Sequence, residues 1–212
     1  LIMKHLILTA ASIALVGFLN PAIAHDDHSH GHDHGAKHNE EKAHDHQALH
    51  TSEAHAHIIG NDGQEIGHAH IVKASGGVLI HVKVDGLPAG KRGMHFHEVG
   101  SCEDHDHFKK AGAHIEHEKP HGYLHPEGPH AGNLPNLIVH EDGTAEVELY
   151  SNLVDLKDGE FPLLDENGST LMIHTNEDDH KTQPIGGSGA RIACGVIVAK
   201  EQHETHDTEE KE

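Results

Sequence analysis

His95 and His97, in the stretch Gly93-Met94-His95-Phe96-His97-Glu98, are the residues whose spacing first suggests chemistry. Side chains alternate across a β-strand, so both imidazoles project the same way while Phe96 points back into a core. Two imidazoles about 7 Å apart along a strand can converge on one metal ion. In a chain with 29 histidines the pair alone is a weak signal. Further histidines stand in distinctive contexts downstream: Ala113-His114, Pro120-His121-Gly122, Gly128-Pro129-His130-Ala131-Gly132-Asn133-Leu134-Pro135 and Leu171-Met172-Ile173-His174. The last motif, Gly189-Ala190-Arg191-Ile192-Ala193-Cys194-Gly195-Val196-Ile197, adds a cation and a cysteine.

The elements that must position these residues are strands. Val78, Ile80, Val82 and Val84 alternate with Leu79, His81, Lys83 and Asp85. Ala145, Val147 and Leu149 alternate with Glu146, Glu148 and Tyr150, and Ile192, Cys194, Val196 and Val198 repeat the theme as one inward face. A period of two with polar outer positions predicts antiparallel strands packed on one side. Asn61-Asp62-Gly63 and Glu141-Asp142-Gly143 read as hairpin turns. No helical periodicity follows residue 24, so the fold class is all-β, a sandwich or a barrel. Residues 98–135 are too long for an ordinary connection and are expected to be functional. Residues 151–170 and 175–190 also read as loops.

The flanks differ in composition. Lys4 and His5 precede an apolar run over residues 6–19, followed by Ala22-Ile23-Ala24. That pattern predicts a cleaved export signal over residues 1–24, with periplasmic delivery or secretion beyond it. Residues 25–53 form an arm containing His25, His28, His30, His32, His34, His38, His44, His46 and His50. It lacks the apolar content to order itself and reads as a loose ligand for Zn²⁺, Cu²⁺ or Ni²⁺. The structured domain is expected over residues 54–200, and residues 201–212 form an acidic tail. Lys plus Arg number 15 against 35 acidic residues, a formal charge of −20 with histidine neutral. That excess argues against nucleic acid and, once the signal is removed, against a membrane partner. In an oxidising compartment the only two cysteines, Cys102 and Cys194, can pair.

The spaced motifs HFHEVGSC, GPHAGNLPNL and GARIACGVI together closely resemble the Cu,Zn superoxide dismutases, in particular their exported bacterial branch. The resemblance spans about residues 54–199. It implies an eight-stranded antiparallel Greek-key β-barrel with long metal-binding and electrostatic loops. It further implies that copper is held by His95, His97, His114 and His174. Zinc would be held by His114, His121 and His130, with His125 the alternative to His121. His114 would bridge the two metals, Asp178 would link the two sites by hydrogen bonds, and Arg191 would stand beside copper. Cys102 and Cys194 match the family disulfide. The sequence departs from the family at Asn133, where an aspartate is the fourth zinc ligand. A neutral amide oxygen is a weaker donor, and His117, His125 or Glu127 are candidates to replace it.

The activity implied is dismutation of superoxide to dioxygen and hydrogen peroxide through alternating one-electron steps at copper. His114 and Arg191 are the catalytic candidates, and Lys181 is an additional guide for the anion. The arm would then aid metal acquisition. The competing expectation is a non-catalytic copper and zinc buffer on the same scaffold, favoured by Asn133 and the arm. A homodimer is left open.

Overall fold

Nine strands run through the described residues: β1 (Glu53–Gly60), β2 (Glu65–Ala74), β3 (Gly77–Val84), β4 (Gly90–Arg92), β5 (Met94–His97), β6 (Leu137–Val139), β7 (Ala145–Ser151), β8 (Ser169–His174) and β9 (Arg191–Ala199). They are seen in a computed structural model that describes residues 52–116 and 118–200. The expected export signal, the arm histidines at 25–50, His117 and the acidic tail lie outside the described residues.

Seven strands form one antiparallel sheet in the order β5-β8-β9-β1-β2-β3-β7, and β4 pairs with β6. Only Gly93 separates β4 from β5. Its N–H donates to the Asn176 carbonyl at 2.7 Å and its carbonyl accepts from the His174 N–H at 2.8 Å. β4 and β5 are therefore one strand that changes partner at Gly93, which reconciles nine segments with the eight strands expected. The Glu141-Asp142-Gly143 turn joins β6 to β7, with the His140 N–H donating to the Thr144 carbonyl at 2.8 Å. The ends of the curled sheet are thus tied together through this hairpin and the β4–β5 strand. β3 and β4 are consecutive without pairing, as are β7 and β8, which gives the Greek-key connections.

Ala54, Ala56, Ile58, Ala69, Ile71, Val78, Ile80, Val82 and Val84 fill the interior with Phe96, Leu171, Ile173, Ala193 and Ile197. Burying each larger side chain contributes about 1.5–3 kcal/mol. β3 and β7 show the expected faces. β9 does not. Ala193 and Ile197 face the barrel interior, whereas Cys194 and Val196 join Cys102, Phe108, Ala111 and Met172 in a second cluster, and Val198 is exposed. The reason is a bulge: Ile173 pairs with Ala193 but His174 pairs with Arg191, leaving Ile192 as an extra residue that shifts the alternation. Residues from the long loop also cover the strand's other face, so both faces are apolar.

Candidate metal centre

β5 is buried along its whole length, on both faces. Phe96 enters the core, and His95 and His97 project to the opposite side under the long loop. That loop lies along the free edge of β5. The Phe96 N–H donates to the Gly132 carbonyl and the Ile115 N–H to the Phe96 carbonyl, each at 2.9 Å. The same pairing sets His114 beside His97 and Asn133 beside His95. On the other edge β8 brings in His174, next to the bulge in β9 that aims Arg191. His95, His97, His114 and His174 are all buried, and each offers a ligand atom within 4.8 Å of those of the others.

The second partners of these rings decide which nitrogen is free. His97 Nδ1 donates to the Gly112 carbonyl at 3.1 Å and His174 Nδ1 to the Gly189 carbonyl at 3.3 Å. His95 Nε2 donates to Asp178 Oδ2 at 2.7 Å. A neutral imidazole that donates from one nitrogen presents a lone pair on the other. His95 Nδ1, His97 Nε2, His114 Nε2 and His174 Nε2 are buried and have no hydrogen-bond partner among the described residues. Buried nitrogens are rarely left so, and a cation bound by neutral imidazoles would satisfy all four.

His114, His121 and His130 form a second cluster. His130 Nε2 lies 3.2 Å from His114 Nδ1 and 3.0 Å from His121 Nδ1. His121 Nε2 donates to Asp178 Oδ1 at 3.0 Å, so its Nδ1 also presents a lone pair. His114 thus faces both clusters with different nitrogens. Asp178 orients one histidine of each, and the His180 N–H donates to its Oδ1 at 2.7 Å. Asn133 is fully buried at the edge of the second cluster, but its Oδ1 accepts the Gly122 N–H at 3.1 Å and its Nδ2 faces His121 Nδ1 at 3.5 Å. An amide NH₂ offers no lone pair to a metal. His125 is half-buried and accepts the Glu127 N–H at 3.2 Å, while Glu127 is exposed; neither belongs to either cluster. Asn133→Asp is expected to tighten zinc binding by about tenfold, measured by competition with a chelator. An unchanged affinity would mean that this position does not limit the site.

Burial dominates the proton affinities. It pushes His97 and His114 well below the ordinary histidine range, lowers His174 to about 3 and His130 to about 4, and outweighs Asp178 to lower His95. Burial acting alone would raise Asp178, but hydrogen bonds from His121 and His95 hold it well below its usual value. A buried histidine with a lowered pKa is protonated first in the unfolded chain, at about 6.5. The metal-free protein should therefore hold its full stability above that pH. It should lose stability as the pH falls from about 6.5 towards the folded values of about 3 and about 4 for His174 and His130. A melting midpoint that stays constant between pH 7 and about 5 would contradict this.

Arg191 donates from Nη1 to the Phe108 carbonyl and from Nη2 to the Gly112 carbonyl, each at 2.6 Å. The Gly112 carbonyl also receives His97 Nδ1–H, so the guanidinium and this imidazole share an anchor. Cys102 and Cys194 form a disulfide beneath the same loop, with Cα atoms 5.9 Å apart.

Residues 65–197 match the family described as copper/zinc superoxide dismutase. The chain belongs to this family. It is 47% identical to the superoxide dismutase [Cu-Zn] of Caulobacter vibrioides over 148 residues, covering 68% of this chain and 84% of that one. The crystal structure of a superoxide dismutase-like protein from Bacillus subtilis superposes with a TM-score of 0.65 at 38% identity, covering 68% of this chain and 97% of that one. The Cu/Zn superoxide dismutase of Brucella abortus gives a TM-score of 0.56 at 30% identity, covering 69% and 99%. Copper and zinc are the metals of a copper/zinc superoxide dismutase, and the two histidine clusters suit both.

The residues that brace this dismutase centre do not stand out in the sequence as site residues. Asn136 clamps the Asp178 backbone, donating to its carbonyl and accepting its N–H, both at 2.8 Å. Gln183 does the same for His121, at 2.9 and 2.8 Å. Gly186, at φ 61°, has no room for a side chain, because a Cβ there would lie 1.7 Å from Asp178 Oδ1. The Asn136 signal was present in the motif LPNL, but its partner lies 42 residues away.

Proposed function

We propose that this chain is an exported superoxide dismutase in which His95, His97, His114 and His174 hold copper and His114, His121 and His130 hold zinc. The observation that carries the assignment is the set of four buried, partnerless imidazole nitrogens beside Arg191. When bound, copper supplies a one-electron couple that oxidises one superoxide to dioxygen and reduces a second to hydrogen peroxide. The protein's own residues supply attraction, orientation and protons. A guanidinium about 5 Å from a superoxide anion contributes roughly 3 kcal/mol at an effective dielectric near 20. That attraction must be local, because the chain's formal charge of −20 repels anions at longer range. Arg191 lines a depression of about 320 Å³ with His107, Lys109, Gly189 and Ala190, a suitable approach for a small anion. Lys181 is exposed on the 175–190 loop and is not among the residues lining that depression. His114, with no fixed donor on Nε2, is the group that can hold a proton there and hand it to reduced oxygen.

The export signal would deliver the chain to the periplasm, and the arm histidines would raise the local metal concentration during loading. Composition alone supports these two readings. The alternative, a metal buffer, is favoured by the amide at Asn133, but buffering gives no reason to hold a guanidinium beside the copper histidines. Superoxide consumption by the copper- and zinc-loaded chain tests the assignment. In protein truncated to residues 51–212, which removes the arm histidines, it should be catalytic and should vanish in His174→Ala at equal copper content. Equal rates in the two proteins would reject it.

A further inference from the structure

Five histidines of the described sheet have no part in the centre. His55, His57, His68, His70 and His81 occupy β1, β2 and β3, and none of them points into the barrel. Core positions alternate with them: Ala54, Ala56, Ala69, Ile71, Ile80 and Val82 are fully or almost fully buried. The strand register then aligns the histidines. His55 stands opposite His70, and His70 opposite His81, in one row across three neighbouring strands. His57 stands opposite His68 in the next row.

Directly opposed residues on antiparallel strands have Cβ atoms about 4.5–5.5 Å apart. Two imidazoles so placed can reach one ion at a metal–nitrogen distance of about 2.0–2.1 Å by side-chain rotation alone, since the sheet fixes their backbones. Carboxylates flank the row. Glu53 Oε2 lies 3.1 Å from His70 Nε2, and Glu146 Oε1 lies 3.0 Å from His81 Nε2. Glu148 ends the row opposite His81. A carboxylate holding the N–H of one ring nitrogen leaves the other as a lone pair, as in carboxylate–histidine–metal triads. His70 and His81 therefore each keep one ring nitrogen for a ligand, while the carboxylates that hold them are also paired with lysines, Glu53 with Lys200 at 2.7 Å and Glu146 with Lys83 at 3.2 Å.

We propose that His55, His70 and His81 form a surface site for a divalent transition-metal ion of imidazole preference, Cu²⁺, Zn²⁺ or Ni²⁺, on the outer face of β1–β2–β3. Its ligands and backbone are distinct from those of the centre and from those of the arm. Its central donor is His70, which has a histidine on either side.

Paramagnetic broadening by Ni²⁺ separates this site from the arm. The full chain, isotopically labelled and with its centre loaded with zinc and reduced copper, is titrated with less than one equivalent of Ni²⁺ near neutral pH. Amide signals around Ala54–Ala56, Ala69–Ile71 and Ile80–Val82 should broaden. That broadening should be lost in His70→Gln and weakened in His55→Gln, with arm signals affected alike in all three proteins. Broadening confined to the arm, or broadening of the sheet that survives His70→Gln, would overturn the proposal. Both histidines lie on the solvent side of the sheet, and the unperturbed remainder of each spectrum shows whether the variant is folded.

Discussion

Asp178→Ala is expected to weaken both metals at once, by about 10–100-fold each. The carboxylate is buried, and it accepts from His95 Nε2 at 2.7 Å and from His121 Nε2 at 3.0 Å. Those two bonds keep the protons on Nε2 and so keep the Nδ1 lone pairs turned towards the two clusters. Without the acceptor each Nε2–H would be a buried, unpaired donor, costing about 1–3 kcal/mol. Moving the proton to Nδ1 relieves that cost and removes the lone pair. Asp178→Asn should separate the two effects, because one amide can accept from only one of the histidines while its NH₂ confronts the other. Copper and zinc affinities measured by chelator competition check both variants. Unchanged affinity for either metal in Asp178→Ala would show that the linkage does not orient its ligand.

Cys102→Ser is expected to lower the melting midpoint of the metal-free protein by about 10–15 °C. The bridge spans 92 residues, which in the chain-entropy model corresponds to about 4–5 kcal/mol. A domain of this size shifts by about 2–4 °C per kcal/mol. The same substitution should loosen copper, because Cys102 anchors the loop whose Phe108 and Gly112 carbonyls hold Arg191, and Gly112 also holds His97. Melting under oxidising and reducing conditions checks the first part. A midpoint indifferent to both the substitution and reductant would contradict it.

What could be read beforehand depended on whether a residue's role was local. The inward face of β3 was legible because Val78, Ile80, Val82 and Val84 alternate with polar neighbours on a sheet that is solvated on its other side. β9 was not, because the Ile192 bulge shifts its parity and a loop about 90 residues earlier in the chain buries its outer face. The pairing of His95 with His97 is a strand property and was visible. The choice between His121 and His125 rests on how residues 118–130 fold back over β5, which no periodicity encodes. Gln183 and Gly186 act only once the 98–135 and 175–190 loops meet, so each looked like an ordinary loop residue, and Asn136, just past the first of these loops, stood in a motif whose partner lies 42 residues away. Asn133 was visible as an anomaly. The structure adds that its oxygen is already engaged by the Gly122 N–H.

Direct superoxide decay after pulse radiolysis, on copper-loaded protein truncated to residues 51–212, shows whether the histidine centre turns over superoxide. Removing the arm matters because copper held loosely by its histidines can itself consume superoxide. Fast catalytic decay is expected, slowing by about 30–150-fold in Arg191→Ala, in line with a loss of about 2–3 kcal/mol of anion attraction. Copper bound stoichiometrically but inert, or decay indifferent to Arg191, would contradict it.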